Sequence, residues 1–219
     1  RISMPGASGR LPAVEFDGIS AVVRPFADGV TLAHFCSLEG SLCPVNCQLT
    51  LNQKTGAIEG HVIVGEVKLV PELRERLPDV ARPAWDALNP VKGTIVLDAL
   101  FSRTPTSPHP DSYTAIVLLN GGEFRPNGVP FGLQGVRLEA VVSDGRVGKL
   151  SISGRAGGIE LTGGGHGEFS PSKGFIGEFS ADAKGIPFNG GFYDALPDTG
   201  KEIWDAFNPR GMVDVGVAV

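Results

Sequence analysis

One phrase is written twice in this chain. Residues 77–100 read LPDVARPAWDALNPVKGTIVLDAL and residues 196–219 read LPDTGKEIWDAFNPRGMVDVGVAV, with Trp85 and Trp204 in register at an offset of 119 residues. Repetition at a long fixed period marks a chain built from successive units, each extending the sheet and core of the one before. The two copies differ by one residue ahead of their glycine, NPVKG against NPRG, after which the offset falls to 118. Ile95, Leu97, Ala99 and Phe101 then align with Val213, Val215, Val217 and Val219. Placing the difference in the turn keeps the same side chains on the same face, which a slip of one residue would invert. Further upstream, Gly18-Ile19 and Asp28-Gly29 correspond to Gly135-Val136 and Asp144-Gly145. The expected organisation is a first unit over 1–91, a second over 92–209, and the first strand of a following unit over 210–219.

Most of each unit alternates with a period of two, the pattern of a strand with one buried face. Val45, Cys47, Leu49 and Leu51 alternate with Asn46, Gln48 and Thr50. Val136, Leu138, Ala140 and Val142 alternate with Arg137, Glu139 and Val141, and Phe175, Gly177, Phe179 and Ala181 with Ile176, Glu178, Ser180 and Asp182. Turn signals punctuate these runs: Asp28-Gly29, Thr55-Gly56, Asn120-Gly121, Asn127-Gly128, Asp144-Gly145 and Ser172-Lys173-Gly174. Asn-Gly and Asp-Gly supply the positive φ of two-residue hairpin turns, so successive strands are expected to pair antiparallel as a meander. Strands are predicted near 13–24, 29–39, 45–51, 57–69, 92–101, 112–120, 133–143, 147–154, 158–163 and 174–184. Thirty-one Gly and seventeen Pro exceed ordinary usage and fit many short strands joined by turns.

The repeated phrase itself departs from that pattern. Gly200, Ile203, Trp204 and Phe207 fall on one helical face, with Thr199 and Glu202 as a capping box and Asn208-Pro209 as the stop. The first copy repeats the face as Ala81, Ala84, Trp85 and Leu88, with Asp79 as cap, Pro83 in the first turn and Asn89-Pro90 as stop. The fold class expected is therefore mainly β, antiparallel meander repeats with one short amphipathic helix per repeat. Trp85 and Trp204 are expected as structural anchors of those helices.

A net charge of −5 without any basic run argues against a nucleic-acid surface. No uninterrupted apolar run approaches the roughly 20 residues that cross a bilayer as a helix. The chain opens RISMPGASGR and closes in a strand pattern at Val217–Val219, and we expect a segment of a longer protein. Three cysteines, Cys36, Cys43 and Cys47, make a poor disulfide framework. Three readings stay open: a Cys43–Cys47 pair across CPVNC in an oxidising compartment, a zinc site that includes His34, and buried or idle thiols.

The run DGISAVVRPFADGVTL, a polar turn and an alternating strand followed by D-G-V and another strand, resembles the repeats of AsmA-like proteins of Gram-negative envelopes. These are relatives of the translocation-and-assembly-module and bridge-like lipid-transfer proteins. The phrase with Trp-Asp, Asn-Pro and glycine is similar to one found in long, repeat-rich AsmA-like proteins of planctomycete-type bacteria. The likeness covers most of the chain in pattern and, as a motif, the two phrases at 77–100 and 196–219. It implies an elongated curved sheet or β-groove with an apolar concave face for lipid acyl chains. It also implies a periplasmic or envelope location, an N-terminal membrane anchor outside this chain, and neighbouring repeats of the parent chain as partners. The family carries no catalytic motif, and the anchor it implies is expected outside residues 1–219.

Candidate chemistry is sparse. GRAGGIELTGGGHGEF at 154–169 surrounds His166 and Glu168 with glycines, but it has neither the spacing nor the following helix of a phosphate-binding loop, and a bend or bulge of the sheet accounts better for it. His34 shares a face with Val30, Leu32, Cys36 and Leu38, as a half-buried, satisfied histidine does. His109 and Asp111 sit in a Pro/Ser/Thr loop that would hold an acid–base pair poorly. No nucleophile elbow, zincin motif or paired carboxylates appear. We therefore expect no catalytic, cofactor or metal residues and no enzyme. The expected function is a groove that binds or conducts lipid acyl chains for membrane biogenesis or upkeep, lined by Val136, Leu138, Ala140, Val142, Phe175 and Phe179. The alternatives are a structural or partner-binding β-module with a closed core, and a glycan-processing enzyme.

Overall fold

The computed structural model describes residues 2–4, 14–16, 19–37, 43–77, 82–106, 111–127, 132–170, 174–196 and 198–218. Strands β1 (Ile2–Met4) and β2 (Val14–Phe16) pair with each other alone. They are followed by β3 (Ile19–Pro25), β4 (Val30–Ser37), β5 (Val45–Asn52) and β6 (Ala57–Lys68), then the short helices α1 (Pro71–Arg74) and α2 (Arg82–Leu88). Next come β7 (Pro90–Arg103), β8 (Asp111–Phe124), β9 (Leu133–Ser143), β10 (Arg146–Ala156), β11 (Ile159–Ser170) and β12 (Gly174–Pro187). The last elements are α3 (Gly190–Ala195), α4 (Asp198–Phe207) and β13 (Met212–Ala218).

Strands β3 to β13 form one sheet of eleven strands in strict chain order, with β3 and β13 as its two edges. Every neighbouring pair is antiparallel. The fold is mainly β, and its central sheet is an antiparallel meander that does not close on itself.

Hairpin chemistry explains the connectivity. Asp144 and Gly145 both adopt positive φ, 49° and 82°, which lets a two-residue turn match the twist of β9 and β10. Asp144 Oδ1 also accepts from the Tyr113 N–H at 2.7 Å, and Tyr113 Oη accepts from the Gly145 N–H at 2.8 Å, tying the turn to β8. Asn120-Gly121, expected as a turn, instead lies inside β8. There Gly121 takes φ 61° and the register shifts between Leu119 and Gly122, so the strand bulges and runs on to Phe124. The glycine-rich stretch at 163–167 likewise stays in strand, and β11 pairs with β12 without interruption from Glu160 to Ser170. The irregularity lies on the other side of β11, in β10 between Val147 and Leu150.

Pairing register sorts the side chains into two faces. Ala21, Phe35, Cys47, Val62, Ala99, Ala115 and Val142 stand opposite one another from strand to strand, an apolar row across β3 to β9. The adjacent row is His34, Gln48, His61, Leu100, Thr114, Ser143, Arg146 and Glu168, which is polar but for Leu100. The core gathers where α1 and α2 cover one end of the apolar face. Val67, Leu69, Leu73, Leu119, Phe124 and Val136 are buried there, with Trp85, Leu138 and Ile152 packed against them. Beyond the helices much of the apolar face is half-buried, since among the described residues no second layer covers it.

The second phrase reproduces the backbone of the first. Asn89 and Asn208 both take left-handed φ, 45° and 44°, a conformation that Asn tolerates and that ends each helix ahead of its proline. Asn89 N–H donates to Trp85 O at 2.8 Å and Asn208 N–H to Trp204 O at 2.7 Å. Leu69 N–H donates to Gly93 O and Phe188 N–H to Gly211 O. Val67 pairs with Ile95 after a shift from Val64, as Ile186 pairs with Val213 after a shift from Ala183.

The expectation of one amphipathic helix per repeat is corrected. Helical chain comes in two short pieces each time, α1 with α2 and α3 with α4, and α4 buries no residue. Of its expected apolar face, Ile203 is 63% and Phe207 79% exposed. Trp204 is half-buried, edge-on to Phe188 at 5.3 Å and to Tyr193 at 5.8 Å between ring centroids. Among the described residues α4 thus rests on an aromatic cluster from the end of β12 and from α3, which leaves Ile203 and Phe207 exposed. The expected cap also moves: α4 begins at Asp198, which places Thr199 inside the helix, while Asp79 lies outside the described residues.

Candidate functional site

Strand β9 carries four of the expected lining residues on one face, and the structure treats them unequally. Val136 is 3% exposed, sealed in the core beneath α1 and α2. Leu138 packs on that core half-buried, and Ala140 and Val142 are half-buried further along the strand. Phe179 belongs to the same face through the pairs Ala140–Leu150, Leu150–Gly165 and Gly165–Phe179, and is 40% exposed. Its ring lies over glycines: a Cβ built on Gly163 would come 3.3 Å from Phe179 Cζ, and one on Gly165 only 2.4 Å from the Glu178 carbonyl oxygen. The glycines of β11 therefore let β12 and its phenylalanine lie close against the sheet. Phe175 pairs with Phe169 in the ladder, and its side chain lies outside the described residues.

Next to the sealed core, the apolar face opens into a hollow of about 250 Å³. Leu133, Val136, Ile152 and Leu161 line one side of it, and Ala181, Ala183, Val215 and Val217 the other. Gly154 and Gly163 form part of its floor, and the exposed surface of the hollow is almost wholly apolar. Val215 and Val217, on the edge strand β13, are 39% and 55% exposed. β13 and β11 were not expected as lining. Alignment with the first copy had put Val213, Val215 and Val217 on one face, but only the pairing of β11 with β12 and β12 with β13 brings Leu161, Ala183 and Val215 side by side.

A larger hollow of about 480 Å³ opens to solvent with a mixed lining, in which Leu100, Phe101 and Tyr113 stand beside Gln48, Glu59 and His61. Ser102 Oγ and Ser112 Oγ lie 2.8 Å apart within it, while His61 Nε2 bonds Asp98 Oδ1 at 2.7 Å and Thr114 Oγ1 bonds Ser143 Oγ at 2.9 Å, both partners lying outside the lining. Among the described residues the histidine and the serines of this hollow are thus engaged separately. The His61–Asp98 pair spans strands 37 residues apart in sequence and shows only once β6 and β7 are registered.

His34 is half-buried and bonds Asn46 Oδ1 at 2.9 Å. Cys36 Sγ lies 2.9 Å from Ser20 Oγ, and Cys43 and Cys47 are thiols whose pKa burial raises, which leaves them poor nucleophiles. Among the described residues no group of three or more His, Cys, Asp or Glu could hold a metal ion. His166 faces Glu178 at 3.9 Å on the exposed polar face, His109 lies outside the described residues, and Asp111 sits 3.6 Å from Arg103 Nε. Among the described residues no helix is long and apolar enough to cross a membrane.

No family model matches the chain, and no curated protein or solved structure matches it.

Proposed function

We propose that this chain is a segment of a larger envelope protein whose β-groove holds or conducts lipid acyl chains, with units at 1–91 and 92–209 and the start of another at 210–219. The observation that carries the reading is the apolar hollow between Val136, Ile152 and Leu161 on one side and Ala181, Val215 and Val217 on the other, on a sheet that no second layer covers among the described residues. A surface of this kind gains by accepting hydrocarbon, about 25 cal/mol for each Å² taken out of water. Its exposed surface is almost wholly apolar, although Asp182 stands among the lining residues. The resemblance to AsmA-like repeats supports the same reading and adds its context: a periplasmic or envelope location, anchoring elsewhere in the parent protein, and a role in membrane biogenesis or upkeep without catalysis, cofactor or nucleic acid.

The sealed packing of Val136 beneath α1 and α2 favours a second reading, a structural or partner-binding β-module. Native mass spectrometry of the protein purified from a lipid-rich host separates the two. The groove reading expects copurifying phospholipid that is reduced by Val217→Asp, a change on an exposed edge strand that the core does not need. Protein that carries no lipid and takes up none from vesicles sinks it.

A further inference from the structure

The apolar hollow has a filled counterpart ahead of the first Trp phrase. The matching pairs Val64–Leu97 and Ala183–Val215 set the equivalence, so β5 and β6 correspond to β11 and β12. Val45 pairs with Val64 and Cys47 with Val62, as Leu161 pairs with Ala183 and Gly163 with Ala181. Gly163 therefore stands where the first copy has Cys47, Ala181 where it has Val62, and Ala183 where it has Val64. In the first copy Val45 and Cys47 are buried and Val64 packs on the sealed cluster. At the flanks the trade runs the other way, with Leu161 in the place of Val45 and Val217 in the place of Ala99. Side chains that are smaller along the middle and larger at the sides turn a packed surface into a trough.

Close backbone approach keeps that middle low. A Cβ on Gly163 would come 3.0 Å from Ile152 Cγ2 and from the Ser180 carbonyl oxygen, and one on Gly154 3.0 Å from Val136 Cγ2. Gly154, Gly163, Ala181 and Ala183 lie on β10, β11 and β12, each paired on both sides, so the floor is set inside the sheet. A strand added beyond β13 would lie outside the wall of Val215 and Val217 and would leave these positions as small as they are.

We propose, building on the groove reading, that this trough seats a single unbranched hydrocarbon chain and that Gly163, Ala181 and Ala183 set how much of it is held. An apolar cavity of about 150 Å³ takes benzene, so a hollow of about 250 Å³ holds roughly ten carbons. A peptide segment laid in it would bury N–H and C=O groups without partners, because the exposed surface of the hollow is almost wholly apolar. Methylenes need no such partners. Against Cys47, Val62 and Val64 of the first copy the same chain would meet side chains in place of space.

The test measures binding of the saturated fatty acids from hexanoic to hexadecanoic acid, each below its aggregation limit, to the native chain and to the double variant Ala181→Val/Ala183→Val. The variant gives both positions the first copy's valines, and Gly163 is left in place because a Cβ there would crowd the Ser180 carbonyl. Affinity is expected to rise about fourfold with each methylene up to about ten carbons and then to level off. The double variant should bind decanoic acid about tenfold more weakly or worse, with amide exchange in β11 and β12 unchanged. If the variant does not fold, the length series on the native chain decides alone. Affinity that climbs on to hexadecanoic acid, or a folded double variant that binds as tightly as the native chain, overturns the proposal and leaves the groove reading in place. No binding of any acid also overturns the proposal, and the groove reading falls with it only where copurified phospholipid is absent too.

Discussion

At the scale of single residues, the two tryptophans show how one motif serves two environments. Trp85 packs against a core that includes Leu73, Phe124 and Val136, whereas Trp204 rests half-exposed against Phe188 and Tyr193. Trp85→Ala should therefore cost about 3–5 kcal/mol, as large core truncations do. Trp204→Ala should cost about 1–2 kcal/mol, the scale of aromatic edge contacts with partial burial. Urea unfolding of both variants checks the order, and equal losses would show that α4 is seated as firmly as α2. The role of Trp204 was legible in part. Its helical spacing with Ile203 and Phe207 marks an apolar face, but periodicity does not say whether that face meets the sheet, an aromatic cluster or solvent.

At the scale of elements, alternation and turn pairs placed the strands well because each strand has one apolar face and each hairpin needs a positive φ. The failures share a cause. Asn120-Gly121 has the chemistry of a turn and of a bulge alike, and the glycines at 163–167 look like a break until Phe179 is seen lying over them. Cross-strand register, which decides both, is not written locally. Nor was the link between α1 and α2 legible: Arg74 clamps Asp86 with Nε at 2.6 Å and Nη2 at 2.7 Å. The guanidinium holds the Asp86 carboxyl below its ordinary range, and the carboxylate raises the Arg74 pKa in turn. A depressed carboxylate pKa stabilises the fold above its unfolded value of about 3.9, and that contribution disappears as the pH falls through the folded value. Thermal unfolding of the native chain and of Asp86→Asn should therefore differ near neutrality and converge in acid. Curves that stay parallel down to acid pH would exclude the clamp as a source of stability.

At the scale of the whole molecule, each strand of the main sheet pairs only with its sequence neighbours, so stability is close to a sum of local terms. The sealed cluster, from Val67 to Val136, lies entirely between β6 and β9. A chain ending after Ser170 keeps that cluster and should unfold cooperatively, with a denaturant slope reduced in proportion to the surface lost. The same truncation removes Ala181, Val215 and Val217, and with them one wall of the apolar hollow. Loss of cooperative folding in the shortened chain would show that the second half supports the first.

Because the meander never doubles back, distance along its apolar face is counted in strands. Neighbouring strands lie about 4.8 Å apart, so eleven of them set a path of about 48 Å measured along the sheet. Each added hairpin lengthens the path by about 10 Å without altering what lies behind it. In such a molecule reach is a ruler marked in hairpins, and it can be lengthened or shortened without redesigning the strands already in place.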